Sequence, residues 1–536
     1  MRRLGEIGGL ALVGALFAAS FGCDAVTNKE KTTDSAVLKT REATVLLAAG
    51  YAGSWPTGLD PATNLTARAN LSQMNAVFGG LFQLAVGPNG HSAAIVGVLA
   101  SGYEVVDEGR TILIQLRDGV EFSDGTPFDA EAVRFNIERN LTSPCTCAPN
   151  EWPWAAKERV TIPSEHTVAL HFSRPYGAAI NAFPAANINW IASPTALKKM
   201  GEEQFRITPV GAGPFRVVSN ELSSTLTLER NPDYWERGHP QLDRLVFRSI
   251  GSEQAAIQSL LAGDAVAYEG MTSPALIEQA EGTGRIVVTR QPPTSPYVVQ
   301  LNTLRAPFND KRAREAIYYA TDVDSIREGV FKNWYPTSQS FTADGGLFHH
   351  SDTPGYRRYD RARARDLVNE LGGMKVKLGT LKSYVSEQIL VALQTQWQEA
   401  GIEVSIASYE LPNVIREFRS GEWEAMLQTA GSFDPEASGG VSFRFRSDQP
   451  YTGVHDPELD QLLLAAAGTF DAEERDRLYA QASKHISDNA YAPFLLAFAP
   501  AQLTVRGLVG PGLTTRIPPV IVNTGVLWQD VRFAQE

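Results

Sequence analysis

RTILIQLRDGVEFSDGTPFDAEAVRFNIERNL, Arg110–Leu141, reads as a strand, a tight polar turn and a helix. Ile112, Ile114 and Leu116 alternate with Thr111, Leu113, Gln115 and Arg117, the two-residue period of a sheet with one face on a core. Asp118-Gly119 and Ser123-Asp124-Gly125-Thr126-Pro127 supply turn chemistry, glycine for positive φ and proline for a fixed one. Asp129 is placed to cap a helix whose Val133, Ile137 and Leu141 recur every four residues along one buried stripe.

Outward from this unit, 536 residues exceed a single hydrophobic core and predict two or three domains. A hydrophobic fraction of 43% with 20% charged residues is that of an ordinary globular protein. The net charge of −12 argues against a nucleic-acid surface.

The N-terminus is the clearest shift in composition. Arg2 and Arg3 precede the apolar run Ile7–Gly22, which is short and glycine-rich for a membrane span and reads as an export signal. Ser20-Phe21-Gly22-Cys23 resembles a bacterial lipobox, in which Cys23 receives lipid and becomes the mature N-terminus. Gly22 and Cys23 fit that pattern, whereas Phe21 replaces a small residue and Ser20 an aliphatic one; the alternative is an ordinary secretory signal. Residues 23–42 are polar and suit a flexible tether. Cys145 and Cys147, in SPCTCAPNEWPW, are too few to cage zinc without distant ligands. In an oxidising compartment they can form a strained short-loop disulfide or stay reduced; either gives a local structural role.

Further along, Ala43–Gly50 is an apolar strand candidate followed by the loop YAGSWPTGLDP, Tyr51–Pro61. Loops at strand ends often carry binding residues, so Ser54 and Trp55 are candidates there, with surface packing the other reading of Trp55. In TPVGAGPFR the GxG runs into Pro214 and Phe215, so it cannot open a dinucleotide-binding helix. Asn231-Pro232-Asp233-Tyr234-Trp235 is a turn, Pro296–Asn302 a strand, and Leu304–Thr321 a helix with Asp310 at its start. Glu387–Ile402 is a strong amphipathic helix with Trp397 on its core stripe.

Taken in order, these segments resemble the family-5 extracellular solute-binding proteins, the peptide- and nickel-binding receptors of bacterial ABC importers. Arg110–Leu141 matches the family signature, Gly211–Phe215 its "GTGPY" element, and Asn231–Trp235, Asn302–Asp322 and Tyr359–Gly373 later marks. The resemblance covers nearly all of residues 43–536. It implies an α/β bilobal periplasmic-binding-protein fold of the large three-region type. The large lobe is expected from 43–70, 206–296 and 500–536, an inserted small domain from 71–205, and a second lobe from 297–499.

The implied mechanism is hinge closure, in which a solute touching both lobes shifts the population from open to closed. For a micromolar receptor the net binding free energy is about −8 kcal/mol, within reach of a few polar anchors in an apolar cleft. In peptide-binding members an Asp ahead of a "DP" or "EP" element pairs with the peptide ammonium. Here that segment is AMLQTAGSFDPEASGG, Ala425–Gly440, and the anchoring position falls on Gly431. A glycine cannot form the pair, and an unpartnered buried ammonium costs several kcal/mol, so a free peptide in that pose is disfavoured. Asp434 is the nearby substitute if the loop is reshaped. Gln428, Thr429, Phe433 and, by its place in the family pattern, Asn302 complete the candidate ligand set; Trp334 is a further aromatic candidate. Peptide-like solutes, small organic or aromatic acids and chelates are the expected cargo, with no cofactor.

The expected partners are the permease subunits in the cytoplasmic membrane and the membrane itself through the lipid anchor. The chain is expected to work as a monomer on the outer face of that membrane or in the periplasm. No GxSxG, SxxK, HExxH or GxxxxGK[ST] string occurs, so no enzyme is expected. His349-His350 reads as an exposed loop rather than a metal site. The alternatives from other classes are a secreted hydrolase without a recognisable motif and a bilobal sensor.

Overall fold

The computed structural model describes residues 41–49, 53–65, 69–86, 93–143, 155–290, 293, 295–430, 433–436, 440–449, 451–498, 500–511, 513 and 525–534. Cys23, Cys145, Cys147 and Gly431 lie outside the described residues. Among the described residues, no helix is long and apolar enough to cross a membrane.

Three sheets carry the architecture. The largest has seven strands in the spatial order Ile286–Arg290, Ala501–Val505, Ala267–Met271, Glu42–Ala48, Arg244–Ile250, Thr225–Arg230 and Phe215–Glu221. Glu42–Ala48 runs parallel to both its neighbours, and the flanking pairs are antiparallel. An antiparallel four-stranded sheet joins Ala100–Val106, Thr111–Leu116, Thr167–Phe172 and Ala155–Ser164. A mixed five-stranded sheet runs Ile402–Tyr409, Met374–Leu381, Ala425–Thr429, Ser295–Leu301 and Phe494–Phe498. Each sheet has its own apolar core.

Arg110–Leu141 forms the frame of the four-stranded unit. Ile112, Ile114 and Leu116 are buried in its core, and Val133, Ile137 and Leu141 of helix Ala130–Leu141 pack against them. Asp129 caps that helix by accepting from the Ala132 N–H at 2.8 Å. The helix also does what its pattern did not announce. Arg139 donates twice, at 2.6 Å each, to the fully buried carboxylate of Asp60, and so holds the Leu59-Asp60-Pro61 loop.

Both ends of the expected small domain, 71–205, pack with the seven-stranded sheet. Helix Leu71–Phe78 is buried at every residue, and five of them join the core of the seven-stranded sheet. Trp190, Ala192, Ala196, Leu197 and Phe205 join the same core. The Gly-Ala-Gly segment explains why that helix sits so close. A Cβ on Gly213 would lie 2.5 Å from the Val77 carbonyl carbon, so only glycine admits the contact. Asn231 fixes the same turn by donating to the Gly213 carbonyl at 3.0 Å.

Two passages of the chain join the seven- and five-stranded sheets. One lies between Arg290 and Ser295, the other between Phe498 and Ala501. Around them Tyr335 donates to the Thr272 carbonyl at 2.8 Å, Lys332 meets Glu278 at 2.9 Å, and the Arg290 guanidinium lies 4.0 Å over the Trp334 ring.

Candidate ligand-binding site

The strand ends beside these two passages face one another across the junction of the sheets. On the five-stranded side, Ala425–Thr429 ends in the segment that carries the sequence candidates. Thr429 is exposed, and Gln428 is half-buried with its amide donating to Gln300 Oε1. Gln300 is fixed in turn by donating to the Arg444 and Tyr451 carbonyls at 2.8 and 2.9 Å. Phe433 is buried, its carbonyl accepting from the Leu347 N–H at 2.7 Å.

Asp434 is fully buried and saturated. Arg475 donates to both its oxygens at 2.8 Å, the Glu436 N–H to Oδ1 at 3.0 Å, and Asn181 Nδ2 to Oδ2 at 2.8 Å. A carboxylate offers about four lone-pair positions, and all four are taken. Asp434 therefore has no free lone pair for the anchoring role that the resemblance placed at position 431. It is a junction instead, because Asn181 comes from the four-stranded unit. The Gly177 N–H donates to the Ala467 carbonyl at 2.8 Å in the same contact. Next to it, burial pushes the Glu436 carboxyl up to about 7, opposed by the Ser442 hydroxyl and the Arg446 charge.

Three aromatic or polar candidates leave the site. Trp55 is fully buried in the core of the seven-stranded sheet, and its indole N–H donates to Asn220 Oδ1 at 2.8 Å. With its ring enclosed and its donor occupied, it is a packing residue. Asn302 follows the far end of strand Ser295–Leu301, roughly 23 Å along it from the crossing. There it donates to the Trp423 carbonyl at 2.8 Å and accepts from the Leu304 N–H at 3.2 Å, a turn-holding role. Trp334 stacks under Arg290 and packs at the junction. Ser54 is half-buried, and its carbonyl accepts from Asn70 Nδ2 at 3.2 Å. The structure thus groups Gln428, Thr429, Phe433 and Asp434 at one strand end and separates Trp55 and Asn302 from them.

On the seven-stranded side the structure shows a polar row that escaped the sequence analysis. Glu269 pairs with Gln502, and Gln502 with Thr289, across three adjacent strands. All three side chains are buried, as is Thr504 two residues on. The Ser72 hydroxyl, on helix Leu71–Phe78, donates to Glu269 Oε2 at 2.7 Å. The signal was present in AQLTV, where Gln502 and Thr504 alternate with apolar residues, but alternation suggests a solvent-facing side. Of helix Leu71–Phe78, Ser72 reaches the row at Glu269. Among the described residues, no group of three His, Cys, Asp or Glu is placed to hold a metal ion.

Comparison with known proteins gives this junction its context. Residues 94–452 match the family described as bacterial extracellular solute-binding proteins, family 5. The glutathione-binding protein GsiB of Salmonella paratyphi A is 29% identical over 454 residues, spanning 80% of this chain and 85% of the relative. In overall fold, the chain is similar to MoaA of A. tumefaciens R10 in complex with mannopinic acid, with a TM-score of 0.78 at 20% identity over 92% of this chain and all of that one. It is similar too to DppA of Helicobacter pylori in complex with the peptide STSA, with a TM-score of 0.77 at 20% identity over 92% and 98% of the two chains. These structures share the bilobal periplasmic-binding-protein fold, and the family and its neighbours are non-enzymatic solute-binding proteins. With the family match spanning well over half of its length, this chain belongs to the family-5 bacterial extracellular solute-binding proteins, the substrate-binding components of ABC importers.

Proposed function

We propose that the chain captures a small peptide-like solute, or a small organic acid or chelate, between its two lobes and delivers it to a membrane permease from a lipid anchor at Cys23. The observation that carries this reading is the double passage between the large sheets, at 290–295 and 498–501, with facing strand ends on either side. Two short connections between the same pair of sheets suit rotation of one lobe against the other, the requirement for hinge closure. A solute that bridges Gln428–Thr429 on one side and the seven-stranded wall on the other favours the closed state by its differential affinity. Glutathione, peptides and mannopinic acid, the compounds named with this chain's relatives and structural neighbours, define the panel to test.

Native mass spectrometry of the gently purified protein is expected to show a stoichiometric small molecule that is lost on denaturation. Re-addition of that molecule is expected to raise the melting temperature, by mass action on the folded state. Turnover of the molecule by pure protein would sink the proposal. For the anchor, Cys23→Ser is expected to release the protein from membranes with affinity unchanged. Continued membrane association of that variant would remove lipidation from the account.

A further inference from the structure

Directly opposed residues on neighbouring antiparallel strands project from one face of a sheet. Glu269, Gln502 and Thr289 therefore share a face, and Thr504, two residues from Gln502, shares it as well. Glu269 is 5% exposed, Gln502 and Thr504 are 0% exposed. Buried polar atoms in folded proteins find hydrogen-bond partners. Yet Glu269 Oε1, both ends of the Gln502 amide and Thr504 Oγ1 have none among the described residues. Ser72 orients the carboxylate through Oε2, and its own oxygen accepts from the Val526 N–H at 2.9 Å, so it does not serve the remaining groups. Burial pushes the Glu269 carboxyl up to about 7, and only the Ser72 hydrogen bond opposes that shift, with no cation contributing.

The row stands at the junction of the lobes. Thr289 is the residue before Arg290, where its strand ends, and Gln502 is the second residue of the strand that returns. Three residues past Glu269, Thr272 accepts the hydrogen bond from Tyr335 across the junction.

We infer that this row is a recognition site for the α-amino end of a small solute, with the ammonium on Glu269 Oε1 and Gln502 Oε1 and the adjoining carbonyl or carboxylate oxygen on Gln502 Nε2 and the Thr504 hydroxyl. The chemistry selects this class by elimination. A metal cation would leave the Gln502 N–H donors unmatched, an anion would oppose Glu269, and an apolar group would match nothing. A cationic donor beside an acceptor matches every unpartnered atom in the row. The groups are sealed from water in this arrangement, so loading requires the lobes to part about the crossings that adjoin the row. The inference rests on the chain being a solute receptor, and it places the ammonium on the large-lobe wall rather than at position 431.

The test is calorimetry and thermal shift on the whole protein with amino acids, dipeptides and glutathione, each beside its N-acetyl counterpart. Blocking the nitrogen of the best solute is expected to weaken binding at least about tenfold, the loss of a hydrogen-bonded charge partner. Glu269→Gln is expected to do the same while the melting temperature of the unliganded protein holds or rises. If that variant does not fold, the N-acetyl comparison on the unaltered protein still decides. Equal binding of free and acetylated solutes, or undiminished binding by Glu269→Gln, would overturn the site and leave the receptor standing, with internal water on the row. If no solute of any class binds, the receptor reading falls first.

Discussion

Asp434 and Glu269 are both buried carboxylates near the junction, and their surroundings send them to opposite ends. Asp434 has Arg475 as a bidentate partner, 4% exposed at its side chain, and the pair is closed to further ligands. Removing one member of a buried ion pair strands the other, so Arg475→Ala is expected to destabilise the protein by about 3–5 kcal/mol in chemical denaturation. A loss below about 1 kcal/mol would show the pair to be hydrated. Glu269 has no cation, and its carboxyl is raised from 4.5 to about 7. The folded state therefore binds this proton more tightly than the unfolded state does, and stability is full below about 4.5 and falls as pH rises through about 7. The shift corresponds to about 3 kcal/mol at most. Glu436, also raised to about 7, adds a change of the same sign. Denaturation curves at pH 5 and 8 are expected to show the decline, and Glu269→Gln to flatten part of it; an unchanged slope in the variant would reassign the effect to Glu436. Neither role was legible in the residues themselves, since a carboxylate's partners are set by what the fold brings to it.

Among elements, helix Ala130–Leu141 was the most legible. Its cap, its stripe and its entry turn were all local, and the structure reproduces each. Asp129→Ala removes one N-cap hydrogen bond and is expected to cost about 1 kcal/mol, read as a lower urea midpoint with an unchanged slope. A neutral result would mean that tertiary packing alone holds the helix start. Helix Leu71–Phe78 was the least legible: its residues alone do not say which sheet it covers, and the distant Gly211–Gly213 segment decides that by close approach. The burial of strand Ala501–Val505 is not legible from its own residues either. Its Gln502 and Thr504 occupy alternate positions that would face water in an uncovered sheet, and they are fully buried instead.

For the whole molecule, the contact of the four-stranded unit with the second lobe is narrow and specific, centred on Asn181, Gly177 and Asp434. If closure brings these groups together, Asn181→Ala removes about 1 kcal/mol from the closed state and shifts the balance toward open roughly fivefold. Small-angle scattering of the unliganded protein is expected to report a larger radius of gyration for the variant, and solute affinity to fall by a similar factor. Identical scattering and affinity would show the contact to be passive. The sequence by itself determined the family, the strand–turn–helix frame, the helix caps and the core stripes, because these depend on neighbours within a turn or a strand and on a run of motifs in fixed order. Only the tertiary structure decided that Trp55 is core, that Asp434 is saturated and that Glu269 Oε1 and the Gln502 amide lie side by side without partners among the described residues. Those outcomes depend on residues distant in the chain, from 41 positions for Arg475 and Asp434 to 253 for Asn181 and Asp434, and burial gives each polar group a consequence that its own segment cannot express.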